Sequence, residues 1–102
     1  MIKTIYSVWL YDKDTKTQLW TNENALQFIT SKVVECFWIG TITLGQWVYT
    51  HDDGQLVIEP SIIVSIITDE QPKDDEFIKT IKTTLNQESI MKEQNTLQVN
   101  FL

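Results

Sequence analysis

The succession of strand-like and helix-like segments along the 102 residues reads β-α-β-β-α-β. That order predicts an α+β fold, a ferredoxin-like sandwich: one antiparallel sheet with both helices on one face and the first and third strands in its centre. Three observations carry the reading. Ala25, Leu26, Ile29 and Val33 recur at near-helical spacing, as do Phe77, Ile78, Ile81 and Leu85. Between these stripes, Phe37 to Ile67 holds two β-rich runs separated by His51-Asp52-Asp53-Gly54, which has no apolar residue and ends in an Asp-Gly turn signal. The run Ser61 to Ile67 is β-branched and apolar on both sides, the composition of a central strand.

The elements follow in order. Ile5 to Tyr11 alternates, with Tyr6, Val8 and Leu10 on one side and Ile5, Ser7, Trp9 and Tyr11 on the other. Asp12 to Thr17 is a polar connection. Thr21 or Asn22 caps a helix running to about Val34, with Phe28 beside its stripe and Asn24, Gln27, Thr30, Ser31 and Lys32 on its polar face. A strand from about Phe37 to Thr50 is interrupted by Gly40 and Gly45, which predicts a bend or bulge at one or both. The partner strand spans Leu56 to Thr68. Pro60 lacks the N–H a ladder needs, so either a bulge at Glu59-Pro60 or a strand end projecting past its neighbour is expected. Asp69 to Gln71 caps the second helix with Pro72 in its first position, Asp74, Asp75 and Glu76 in the first turn and an end near Asn86. A short strand from Ser89 to Glu93, a turn at Gln94-Asn95 and an extra C-terminal strand from Thr96 to Leu102 complete the expectation.

Length and composition bound the possibilities. At 102 residues the chain fits a single globular domain, 1–102, that needs neither disulfide nor metal to bury a core. Eight Lys and no Arg stand against fourteen acidic residues, giving a net charge of −6. That balance opposes a nucleic-acid surface, which needs clustered cations, and a dedicated phosphate clamp, which favours Arg. No apolar run is long enough for a membrane span, and MIKTIYSVWLYDKD reads as a strand rather than a signal peptide. The lone Cys36 fits a reducing, cytoplasmic setting.

Two groups of residues are candidates for function. Trp9, Tyr11, Trp47 and Tyr49 fall on the sheet face that the helices leave bare, and that density of aromatics calls for a cover. The simplest cover is a second copy of the chain or the C-terminal segment; a small-molecule pocket or a protein partner is the other option. The topology also brings the end of the first strand, the turn after the second, the start of the third and the end of the second helix to one end of the sheet. There Trp47, Tyr49, His51, Glu59, Ser61, Gln87, Glu88 and Ser89 can converge as a binding cluster. Each has a plainer use: Gln87-Glu88-Ser89 can close a helix, and Glu59 can be a solvated or backbone-bonded carboxylate. His51 with Asp52 and Asp53 is a turn whose side chains diverge, so no metal site is expected. No phosphate loop or dinucleotide fingerprint is present, so no cofactor is expected. Paired carboxylates are conceivable only through Glu59 and Glu88.

Gly40-Thr41, Gly45-Gln46-Trp47, Gly54 with Glu59-x-Ser61, Gln87-Glu88-Ser89-Ile90 and Val99-x-Phe101 occur in that order. The set resembles a family of small bacterial proteins called domain of unknown function three-five-seven-four, over about two-thirds of the chain from Phe28 onward. The pattern departs from the family's at Thr43 or Leu44, where a second Gly often stands, and at Ile58, where a basic residue does. The resemblance implies a compact α+β domain with a shared Trp, Glu and Gln-Glu-Ser set, and no reaction. The sequence therefore points first to a binding or interaction domain, homodimeric through the aromatic face, with no complete catalytic constellation. A small-ligand binder or small enzyme of the dimeric α/β-barrel kind comes second, and an acidic, phage-like inhibitor third.

Overall fold

In the computed structural model, which describes residues 1–102, the elements are β1 (Ile2–Trp9), α1 (Asn22–Phe37), β2 (Thr41–Thr50), β3 (Leu56–Thr68), α2 (Asp75–Thr84) and β4 (Met91–Thr96). The strands form one sheet in the order β2-β3-β1-β4, antiparallel throughout. This is the ferredoxin-like arrangement expected, with β1 and β3 in the centre. Tyr6, Val8, Ile62, Val64 and Ile66 point from these strands to the helices. They meet Ala25, Ile29 and Val33 of α1 and Phe77 and Ile81 of α2 in one buried cluster. Fully burying a Val, Ile or Phe side chain of this cluster contributes about 1.5–3 kcal/mol.

The helices depart from expectation at their ends, for packing reasons. Thr21 caps α1 as expected, its hydroxyl accepting from the Asn24 N–H. α1 continues past Val34 to Phe37 because the Phe37 ring enters the core, its centroid 5.0 Å from Phe77 and 6.1 Å from Tyr6. β2 accordingly begins at Thr41 rather than Phe37. α2 starts at Asp75 and not at Pro72, so 69–73 stay outside the helix. The N-cap residue Asp74 makes no cap hydrogen bond, because its carboxylate is committed elsewhere: it accepts from the buried Tyr6 hydroxyl at 2.6 Å and pairs with Lys92 at 2.7 Å.

No bulge occurs at Gly40, Gly45 or Pro60. The β2–β3 register is unbroken from Thr41↔Ser65 to Thr50↔Leu56. Pro60 fits because β3 projects past β1, whose last partner is Ser61. The Pro60 carbonyl accepts from Leu10 N–H at 3.1 Å, so its ring nitrogen faces the same neighbour, at the point where the ladder is ending anyway. The His51–Gly54 turn forms as expected, with Gly54 at φ +83° and its N–H on the His51 carbonyl.

The C-terminal expectation fails. β4 runs straight through Gln94-Asn95, and residues 97–102 form no extra strand. β4 pairs with β1 from Ser7 back to Ile2, and past Thr96 only Leu97 keeps the contact, its N–H donating to the Met1 carbonyl at 2.9 Å and its carbonyl accepting from the Met1 ammonium at 3.2 Å. Phe101 is 88% exposed, so the tail does not cover the aromatic face.

Past Gly45 and Pro60, β2 and β3 pair only with each other and extend as an arm, part of a molecule measuring 46 × 26 × 23 Å. Both faces of the arm are exposed and apolar: Val48, Leu56 and Ile58 on one, Trp47 and Tyr49 on the other.

Candidate functional site: a cleft at one end of the sheet

Where β1 stops, its chain turns away from the sheet and is tied down by β3. Tyr11 N–H donates to Glu59 Oε1 at 2.9 Å, and the Tyr11 hydroxyl donates to the Ile58 carbonyl at 3.1 Å, which β1 no longer reaches. The following loop folds on Asp12, whose Oδ2 accepts the N–H groups of Asp14 and Thr15 at 3.0 and 2.9 Å. These local bonds are what an Asx turn supplies in place of a ladder. Asn86, at φ +49°, spans to the same loop: its Nδ2 donates to Asp12 Oδ1 at 2.8 Å and Asp14 Oδ2 at 2.9 Å. The Thr15 N–H, then the Asn86 amide, hold the Asp12 carboxyl below the usual range against the opposing effect of burial. Gln87 completes the junction, donating from Nε2 to the carbonyls of Tyr11 (2.8 Å) and Leu85 (3.2 Å).

These ties leave an open cleft of about 590 Å³. The sheet supplies Trp9, Tyr49, Val57 and Glu59; the loop supplies Tyr11, Asp12, Lys13 and Lys16; the connection from α2 to β4 supplies Gln87, Glu88 and Ser89; His51 stands at the hairpin end. Tyr49 and His51 meet edge to face with centroids 5.2 Å apart. Glu59 is buried with one oxygen on Tyr11 N–H, and its other oxygen takes no hydrogen bond from the protein. The Trp9 Nε1 is buried without a partner.

The convergence read from the sequence is thus largely realised. Tyr49, His51, Glu59, Gln87, Glu88 and Ser89 line one cleft, and Trp9 and Tyr11 join them. Trp47 and Ser61 do not. Trp47 packs edge-on against Trp9 at 5.3 Å, and Ser61 is buried beneath, with its Oγ against Gly45. The alternation placing Trp9 and Trp47 on the bare face holds because the register is unbroken. Sequence reasoning missed Asp12, Lys13, Lys16 and Val57. The signal for the first three is the position of DKDTKT directly after the first strand, whose end lies at this end of the sheet. No group of three or more His, Cys, Asp or Glu side chains is placed to hold a metal ion. The lone Cys36 is exposed at the opposite end of the sheet, where burial, then Glu35, raise its thiol.

The arrangement is rich in acceptors and aromatic faces. Glu59 and Glu88 present carboxylates, and Trp9, Tyr11 and Tyr49 present rings, in one concave space. Such a surface suits an organic cation or a ligand carrying several N–H and O–H donors.

No protein-family model matches the chain, and no curated protein matches it. Among solved structures, a phage SAM lyase in complex with S-methyl-5'-thioadenosine shares the fold. It superposes with a TM-score of 0.61 at 23% identity over 92% of this chain and 79% of that one. The apo form of a phage SAM lyase gives 0.60 at 22% identity over 92% and 78%. At this identity the likeness is one of fold.

Proposed function

We propose that the protein is a lyase acting on S-adenosylmethionine, held in the cleft at the end of the sheet. The observation that carries the reading is Glu59: a buried carboxylate with one oxygen fixed by the fold and the other free, among the rings of Trp9, Tyr11 and Tyr49. The shared fold with a SAM lyase supplies the choice of cation. In this reading the rings receive the adenine by stacking, while Glu59 and Glu88 accept from the ammonium and the ribose hydroxyls.

The chemistry requires no co-reactant. If S-methyl-5'-thioadenosine leaves, the bond between sulfur and the methionyl Cγ breaks and its electron pair stays on sulfur, which becomes a neutral thioether. The substrate's own carboxylate oxygen forms the new bond at Cγ and closes a lactone, so atoms and charge balance. The protein's work is then to hold the amino-acid chain folded, with that oxygen opposite the departing sulfur, a proximity effect rather than proton transfer. Because the sulfonium loses its charge in the step, a carboxylate directly on sulfur would favour the ground state. Glu59 serves better on the ammonium.

Purified protein incubated with S-adenosylmethionine is the test. Formation of S-methyl-5'-thioadenosine above the uncatalysed background, read by chromatography, is expected. No product above background together with no binding by calorimetry would sink the reading.

A second reading concerns assembly and is favoured by the exposed arm: a second copy covers the aromatic and apolar faces around Trp47, Tyr49, Val48 and Ile58. An acidic inhibitor has less support, because the carboxylates are divided among the hairpin tip, the loop after β1, the start of α2 and the cleft. The resemblance to the domain of unknown function three-five-seven-four is compatible with any of these, since it implies no reaction.

A further inference from the structure

Gln87 is 7% exposed, and both of its amide protons are spent on carbonyl oxygens, those of Tyr11 and Leu85. Those two acceptors fix which way the amide lies. Turned over, the side-chain oxygen would face two carbonyl oxygens, losing both bonds and adding repulsion. The Gln87 Oε1 is therefore held on the opposite side. It takes no hydrogen bond from the protein, yet it is not a sealed, unpartnered atom: Trp9 Nε1 is the one buried side-chain polar atom left without a partner. Gln87 lines the cleft, and with its amide nitrogen committed to two carbonyls the oxygen is the polar atom it has left for a ligand there. A nearly buried acceptor in a fixed direction discriminates sharply, because a ligand that presents a second acceptor leaves both unpaired.

We propose that Gln87 selects the ligand of this cleft for an amino group, its Oε1 receiving an N–H from the ligand. The inference rests on the adenosyl-ligand reading above and sharpens it. Such a ligand offers an amino group at two places, the exocyclic amine of adenine and the α-ammonium of the amino acid. The backbone on either side of Gln87 is held by bonds that do not involve its oxygen, including its own N–H on the Lys82 carbonyl at 2.9 Å, so the acceptor is in place before any ligand arrives.

Calorimetry on the full chain with two ligand pairs tests this. The first pair is S-methyl-5'-thioadenosine and its 6-oxo counterpart, S-methyl-5'-thioinosine. The second is S-adenosylmethionine and its analogue lacking the α-amino group. The expected result is a preference of about tenfold or more for the amino-bearing member of one pair. The first pair assigns the bond to adenine; the second, measured in the Glu59→Gln background so that the share of Glu59 in holding the ammonium is removed, assigns it to the ammonium. Gln87→Met, close in size but without the acceptor, should reduce that preference to within about twofold. The measurement on the unaltered protein stands even if that variant fails to fold. Binding of both members of each pair with equal affinity overturns the role of Gln87 and leaves the cleft reading intact. Failure of all four ligands to bind overturns both.

Discussion

Glu59 divides its carboxylate between fold and cleft, and a substitution can separate the two uses. Glu59→Gln keeps an oxygen for the Tyr11 N–H and removes the charge. It should leave the melting temperature nearly unchanged, weaken S-adenosylmethionine about tenfold or more by calorimetry, and affect neutral S-methyl-5'-thioadenosine far less. The Tyr6–Asp74–Lys92 tie makes a second prediction at this scale. Burial pushes the Asp74 carboxyl up, but hydrogen bonds from Lys92 and Tyr6 outweigh it and leave it below its usual value. With the folded value depressed, the stabilisation is present above the unfolded value of about 4 and is lost as pH falls through the folded one. Asp74→Asn should therefore melt below the unaltered protein at pH 7, with the gap closing in acid. Burial, then Asp74, push the Tyr6 hydroxyl far up, so its contribution persists until the pH passes about 10, where ionisation favours the unfolded chain. Tyr6→Phe should cost about 1–3 kcal/mol in denaturant melts. That Glu59, Gln87 and Glu88 lie together is legible in the sequence because topology alone takes their segments to one end of the sheet. The role of Asp12 is not, because it depends on a bond to Asn86, 74 residues away.

Among the elements, what the sequence left undecided was how each one ends. The apolar stripes placed both helices, yet the reach of α1 to Phe37 depends on a tertiary pocket between Tyr6 and Phe77. Likewise MKEQNT has little strand propensity and becomes β4 because β1 presents an open edge. Gly40 shows the same tertiary control between α1 and β2. A Cβ there would lie 2.9 Å from Val33 Cγ1 and 3.2 Å from Ile66 Cγ2. Gly40→Ala should thus destabilise by about 1–3 kcal/mol through overpacking, measured by urea unfolding. At Gly54 nothing lies within 4 Å of an added Cβ, so Gly54→Ala should cost only the strain of its positive φ, about 1–2 kcal/mol. Pro60 allows either a bulge or a projecting strand end. The unbroken register selects the second.

For the molecule as a whole, the order of elements was enough to give sheet order and strand direction, because few topologies connect β-α-β-β-α-β without crossing. The arm is the projecting strand end that Pro60 allows, but its length is not legible in the sequence, since it depends on β1 stopping at Trp9 while β3 extends to Leu56. Its exposed apolar faces lead to a prediction about assembly. Size-exclusion with light scattering at micromolar concentration should give a multiple of the 11.9 kDa chain, and Val48→Asp with Ile58→Asp should return it to a single chain. A monomer before substitution would remove the second-copy reading. The arm also divides the protein into regions of unequal local stability. Its amides are secured only by the opposing strand of the same hairpin, whereas those of β1 and the inner half of β3 have neighbours on both sides and helices above. Native-state hydrogen exchange should therefore proceed through a low-energy opening of residues 46–60 well before global unfolding. Since Tyr49, Val57 and Glu59 hang from that opening unit and Gln87 from the connection between α2 and β4 outside it, a ligand bridging the two should slow exchange in the arm selectively. Part of its binding free energy would then be spent on ordering the wall it binds to.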